Sequence, residues 1–191
     1  MSVKTLLTAE DFLQMPDVPG KRFELVRGEL VEMPGTTARH GEIAAVFYEV
    51  VRAFVRLHAL GRVYFDGIGY IIARDRDIVR VPDVSFVAQR RIPETGAPDT
   101  HWPFAPDLAV EVVSTYDRAV DVYEKVREYL DAGTQLVWVA WPRTRSVTAH
   151  AADGSIVELG PDDELDGGDV LPGFRVRVSD LFEIDKLWSP L

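Results

Sequence analysis

Read from the N-terminus, the first local pattern is Thr8-Ala-Glu-Asp, an N-cap residue followed by first-turn acids, which opens a short helix to about Met15. Pro16, Pro19 and Gly20 break it. Arg22–Val26 and Glu29–Met33 alternate apolar and polar residues around Arg27-Gly28, the pattern of an N-terminal hairpin that Pro34-Gly35 ends. From about Thr37 to Leu60, Ile43, Val46, Phe47, Val50, Val51, Phe54, Val55 and Leu57 recur at three- and four-residue spacing. That spacing predicts a long amphipathic helix, stopped by Gly61.

Short β-rich runs follow at Arg62–Phe65, Gly69–Ala73 and Val84–Val87, with polar turn material at Arg74–Asp77. Residues 89–106 hold four prolines and read as a loop, a candidate mobile segment. Leu108–Val113 is almost wholly apolar with one carboxylate inside it, the pattern of a central strand buried on both faces. A helix from Ala119 to Ala132 ends at Gly133, and another apolar strand follows at Gln135–Ala140. Arg145–His150 and Ser155–Leu159, joined through Asp153-Gly154, form a C-terminal β extension, with a short helix near Ser179–Phe182. There is no internal repeat, low-complexity tract or linker. The expectation is one α/β (mixed α+β) domain, residues 1–191, with a mixed β-sheet flanked by helices.

Composition narrows the function classes. The chain has 191 residues and no cysteine, so disulfides and thiolate metal sites are excluded and a cytoplasmic setting is expected. The N-terminus carries no apolar h-region, and the longest apolar run, Leu136–Trp141, is far below the roughly 20 residues of a membrane span. The formal charge of −10 argues at first against nucleic acid. Residues 151–191, however, hold ten acids and three bases, and residues 1–150 hold 21 acids and 18 bases. The body is therefore nearly neutral, and a bound cation would neutralise some of its acids.

Two of those acids stand where solvated charge does not belong. Asp83 follows Pro82 at the entry of Val84–Val87, and Glu111 lies inside Leu108–Val113. A bare buried carboxylate costs several kcal/mol unless a cation or hydrogen bonds compensate. Taken singly, Glu111 also fits a buried ion pair with one of the 17 arginines or a sheet edge open to water, and Pro-Asp is ordinary turn chemistry. Lys125 is the sole lysine between Arg22 and Asp185. At about 100° per residue it projects from the edge of the stripe formed by Val122 and Tyr129, facing the sheet. Singly it also fits a snorkelling side chain or a partner of Asp121. Together, two carboxylates on adjacent strands can hold Mg²⁺, and a neighbouring lysine can orient or deprotonate a water for in-line attack on a phosphodiester.

The order Pro82-Asp83, then Glu111 in an apolar strand, resembles the PD-(D/E)XK nuclease superfamily. The chain is more closely similar to the Uma-two family of restriction endonucleases, over nearly its whole length. The ordered marks are Thr8-Ala-Glu-Asp-Phe, Phe23-Glu-Leu-Val-Arg-Gly-Glu-Leu-Val-Glu-Met, His40, Pro82-Asp-Val-Ser-Phe-Val and Pro106-Asp-Leu-Ala-Val-Glu-Val-Val-Ser. They continue with the ladder Asp121, Lys125, Tyr129, Gly133 and with Leu136-Val-Trp-Val. The resemblance implies a restriction-endonuclease-like core, a site at Asp83 and Glu111, DNA as substrate and Mg²⁺ or Mn²⁺ as cofactor, with the backbone carbonyl of Val112 as a further metal ligand. It also implies Glu24 and His40 as accessory residues, although Glu24 alone fits a surface hairpin and His40 a polar helix cap. The standard motif places a lysine two residues past the Glu, where this chain has Val113; Lys125 is the candidate replacement. Trp141 stands where an aspartate is expected before Pro142.

No other chemistry competes. His58, His101 and His150 show no metal-ligand spacing, Gly67-Ile-Gly69 lacks the third glycine of a dinucleotide site, and Ser114 has no triad context, so no organic cofactor is expected. Arg90 and Arg91 are candidate phosphate contacts. Cutting both strands of a duplex takes two active sites, which implies a homodimer with the long helix or the tail Leu187-Trp188 as interface. The leading reading is a metal-dependent DNA endonuclease using a metal-activated water. The alternatives are a catalytically inactive nuclease-fold protein that binds DNA or protein, and a scaffold dimer whose buried acids pair with arginine.

Overall fold

The computed structural model describes residues 6–16, 18–33, 35–74 and 77–184. The end of the first hairpin at Pro34, part of the turn at Arg74–Asp77 and the tail Leu187-Trp188 lie outside these residues. Element order is α1 (Ala9–Leu13), β1 (Phe23–Val26), β2 (Glu29–Glu32), α2 (Ala38–Leu57), β3 (Gly61–Phe65), β4 (Tyr70–Ala73), β5 (Ile78–Arg80) and β6 (Val84–Ala88). It continues with β7 (Leu108–Val112), α3 (Ala119–Asp131), β8 (Leu136–Trp141), β9 (Ser146–Ala151), β10 (Ile156–Leu159), β11 (Glu164–Asp166) and β12 (Arg175–Arg177). The short terminal helix is a 3-10 turn, Val178–Phe182.

The expected mixed sheet is present as a six-stranded sheet in the order β10-β9-β8-β7-β6-β3. Only β7 and β8 pair in parallel, joined by the α3 crossover; the other pairs are antiparallel. The period of two along β7 and β8 sorts their side chains. Leu108, Val110 and Val112, with Leu136, Trp138 and Ala140, pack with Ile43, Phe47, Val51 and Val55 of α2. Ala109, with Val137 and Val139, packs with Val126 and Tyr129 of α3. Glu111 alternates with Val110 and Val112 and therefore belongs to the α3 face.

One sheet was expected, and there are two larger ones. The predicted hairpin β1–β2 joins β4–β5 in a second antiparallel sheet, ordered β2-β1-β5-β4. A two-stranded ribbon, β11–β12, completes the β structure. The second sheet is tied to the first by the buried pair Tyr70 Oη–Ser85 Oγ at 2.7 Å and by packing of Tyr70 and Trp102 on Val87. Segment 78–88 passes from one sheet to the other, with Pro82-Asp83 at the crossing.

The loop at 89–106 is anchored rather than mobile. Trp102 is buried, its amide donates to the Gly69 carbonyl at 2.9 Å, and its carbonyl accepts from Ile71 at 2.8 Å. Gly61 also differs from expectation. The long helix already ends at Leu57, and Gly61 opens β3 at φ +154°, where a Cβ would stand 2.1 Å from the Val87 carbonyl oxygen. It is glycine so that β3 can approach β6.

Candidate active site

Four parts of the fold meet at one end of the main sheet. Val84 pairs with Val110, so the antiparallel register carried one residue further sets Asp83 opposite Glu111. The Asp83 Oδ2 accepts a hydrogen bond from the Val112 amide at 2.7 Å, which fixes the carboxylate against β7. His40, in the first turn of α2, brings its Nε2 to 3.3 Å from the same oxygen.

From the other side, α3 reaches Glu111. The Lys125 Nζ stands 2.9 Å from Glu111 Oε2, and the Tyr129 hydroxyl donates to Glu111 Oε1 at 2.9 Å. Positions 125 and 129 are one helical turn apart, so both groups fall on the one carboxylate below them. Val113 lies on the same strand face as Glu111 and packs among the apolar residues under α3. The ammonium nearest Glu111 comes instead from Lys125 of α3.

The second sheet supplies Glu24 and Arg80. Glu24 is buried; its Oε1 accepts from the Val81 amide at 2.8 Å and lies 3.0 Å from Lys125 Nζ, and its Oε2 accepts from Arg80 at 2.7 Å. Arg80 also holds Glu128 of α3, with its Nε at 2.8 Å from Oε2. The surface-hairpin reading of Glu24 is thereby excluded. Glu29 and Glu32 are exposed, and Glu32 pairs with Lys21 at 2.8 Å.

Arg80, Glu128 and a role for Tyr129 escaped the sequence reading. For Arg80 a signal was present: a lone charge in Ile78-Val79-Arg80-Val81 is as out of place as Glu111 in its strand. Glu128 and Tyr129 gave none beyond their place on an amphipathic helix. Arg90 and Arg91 lie at the opposite end of β6 and β7 from the site. Both pair with the buried Asp107, at 3.0 and 3.2 Å. Trp141 closes β8 and donates its indole N–H to Thr148 Oγ1 at 3.2 Å.

The electrostatics are those of concentrated negative charge. Burial, reinforced by the charges of Asp83 and Glu24, pushes Glu111 up to about 7 in spite of Lys125. Burial works against the ammonium of Lys125, but Glu111 and Glu24 outweigh it and raise its pKa, so it stays protonated. Burial would likewise raise Glu24, yet Lys125, Arg80 and the Val81 amide hold it below its ordinary value. His40 is raised: desolvation is outweighed by its hydrogen bond to Asp83 and by the charges of Asp83, Asp117 and Glu111.

The group opens into a cleft of about 700 Å³ between α3 and the second sheet. Among the described residues, no three His, Asp or Glu side chains form a ready metal cage. The donor set nevertheless suits a hard cation. Among the described residues Glu24, Asp83 and Glu111 face Arg80 and Lys125, and Glu128 is held by Arg80 with Arg27 at 3.7 Å, so four carboxylates meet three permanent cations. Asp83 and Glu111 offer oxygen ligands, and Mg²⁺ binds readily through one or two carboxylates while keeping several waters.

This architecture, an α/β fold with a mixed sheet flanked by helices, is shared with a solved protein. The crystal structure of "a putative nuclease belonging to DUF820" from Anabaena variabilis ATCC 29413 matches with a TM-score of 0.82 and 22% identity, over 93% of this chain and 98% of that one. The model of the Uma2 family, described as "Putative restriction endonuclease", matches residues 9–179, and the chain belongs to that family. Comparison with curated proteins gives no match.

Proposed function

We propose that this protein is a metal-dependent DNA endonuclease, hydrolysing phosphodiester bonds at Asp83, Glu111 and Lys125. The observation that carries the proposal is the convergence of Lys125 on Glu111, beside an Asp83 pinned to the same strand by the Val112 amide. Membership of the Uma2 family and the fold shared with a nuclease support it.

Asp83 and Glu111, with the Val112 carbonyl, are the residues that would hold Mg²⁺ or Mn²⁺. When bound, the cation would polarise the scissile phosphate and supply an activated water. Lys125, 2.9 Å from Glu111 Oε2, would orient the water and offset charge that develops on the phosphoryl oxygens. Tyr129 and Lys125 together fix both oxygens of Glu111, leaving each a lone pair directed elsewhere. His40 holds Asp83 from the α2 side, and Glu24 anchors Lys125. The binding-only alternative, motivated by the displaced lysine and the acidic tail, is weakened by the 2.9 Å approach of Lys125 to Glu111.

No helix among the described residues is long and apolar enough to cross a membrane. We place the enzyme in the cytoplasm and expect a homodimer. The deciding experiment is nicking of supercoiled plasmid in Mg²⁺ or Mn²⁺. Wild type should cut, and Asp83→Asn, which keeps an acceptor for the Val112 amide, should lose on the order of 100-fold in rate. Equal rates in the two proteins would overturn the assignment.

A further inference from the structure

The cleft walls bear on what kind of DNA can enter. Its carboxylates are recessed, with Asp83 and Glu111 side chains 8% and 12% exposed. The space of about 700 Å³ falls in the range of a pocket for one drug-sized ligand, roughly 300–1,000 Å³. A B-form duplex, with a persistence length of about 50 nm, would bend toward a recessed floor only at a deformation cost that a flexible strand does not incur.

The lining is also wrong for gripping a duplex by its phosphates. Seven carboxylates line the cleft against Arg22, Arg80 and Lys125. Each of these cations is already committed: Arg22 to Asp66, Arg80 to Glu24 and Glu128, Lys125 to Glu24 and Glu111. What the rim offers instead is an aromatic face. Tyr116 lines the cleft and is 72% exposed. Its turn is held by Ser114, whose amide donates to Asp117 Oδ2 at 2.7 Å and whose hydroxyl accepts from the Tyr116 amide at 3.2 Å. Val120 and Tyr123 are also exposed, on the α3 face away from Val122, Val126 and Tyr129. Beside Asp117 and Asp121 an approaching phosphate would be repelled, whereas the face of an uncharged base would not.

We infer that the substrate is single-stranded DNA, with Tyr116 stacking on a base adjoining the scissile phosphate. This rests on the nuclease reading above and sharpens it. A flexible strand can lower one phosphate to the recessed carboxylates while its bases turn outward onto the aromatic rim, the mode by which aromatic platforms hold single strands without reading sequence. Asp83 and Glu111 are the residues that would hold the divalent cation facing that phosphate, and Tyr116 supplies the contact that the committed arginines do not.

The test is fluorescence anisotropy of a labelled oligothymidylate and of a labelled duplex of equal length, in Ca²⁺, with wild type, Tyr116→Ala and Tyr116→Phe. Plasmid nicking and oligothymidylate cleavage in Mn²⁺ are run in parallel. Wild type should bind the single strand about 10-fold or more tighter than the duplex. Tyr116→Ala should lose roughly 5-fold or more on the single strand alone, and Tyr116→Phe should keep wild-type binding. Equal or tighter duplex binding, an unaffected Tyr116→Ala, or loss in Tyr116→Phe as well would overturn the stacking proposal. If plasmid is still nicked in an Asp83-dependent way, the endonuclease reading survives that result. Failure to bind or cut any of these DNAs would overturn both.

Discussion

Glu111 has an ammonium at 2.9 Å and is still pushed up to about 7, because burial and the charges of Asp83 and Glu24 outweigh Lys125. Its folded pKa therefore lies above its ordinary value of 4.5. Between those values the unfolded chain has lost its proton while the folded chain keeps it, so this group's stability is full below about 4.5 and is lost as pH rises through about 7. The shift corresponds to about 3 kcal/mol. Thermal unfolding in chelator should thus show a midpoint that falls across this window, and Glu111→Gln, which cannot titrate, should flatten it. Glu24 acts in the other direction: its pKa is lowered, so its contribution is present above its ordinary value and lost in more acidic solution. His40, raised from 6.5, loses its contribution only above that value, outside most of the Glu111 window. Mg²⁺ should recover more stability at pH 8 than at pH 5, since only the ionised carboxylate binds it. A midpoint with the same pH dependence in Glu111→Gln as in wild type would remove Glu111 as its source.

At the scale of elements, what could be read from the sequence was whatever a local period could encode. The apolar spacing of α2 and α3 and the continuous runs of β7 and β8 announce themselves because each buries a face through its own residues. β5, β11 and β12 have three residues each, too few to display a period of two. The second sheet was hidden for another reason: it pairs β1 with β5 across the whole of α2, and no local pattern encodes that meeting. The site divides the same way. Asp83, Glu111 and Lys125 were visible as charge in the wrong setting, while the link from Arg80 to Glu24 and Glu128 arises only when the two sheets close on α3. Gly61 shows how far a local rule can mislead, since its helix-stop signal fits but its constraint comes from β6. Gly61→Ala should force the β3–β6 pair apart and cost on the order of 2–4 kcal/mol in denaturant unfolding. Gly41→Ala, inside α2 with no atom within 4 Å of the added Cβ, should stabilise by about 0.5–1 kcal/mol. Equal effects at the two positions would show that close approach to Val87 is not what selects glycine at 61.

For the molecule as a whole, the formal charge of −10 sets how DNA can be held at all. Seven of those net negative charges fall in residues 151–191, and the cleft itself is acidic, with every arginine and lysine lining it paired to a carboxylate. Proteins that grip DNA by free lysines and arginines release condensed counterions, and each neutralised phosphate of a single strand adds about 0.7 to the slope of log K against log salt. Here few such contacts are on offer. In chelator, binding of oligothymidylate should be weak and its slope shallow, below about 2 in magnitude. Adding Mg²⁺ should tighten binding by roughly 10-fold or more, since a divalent ion held by Asp83 and Glu111 would offset their repulsion of a phosphate. Glu111→Gln should abolish that gain while leaving the weak chelator-state binding as it was. A steep salt slope in chelator, near 5 or above, would instead mean that a basic surface outside the cleft carries the DNA, and the acid-lined cleft would no longer be the binding site.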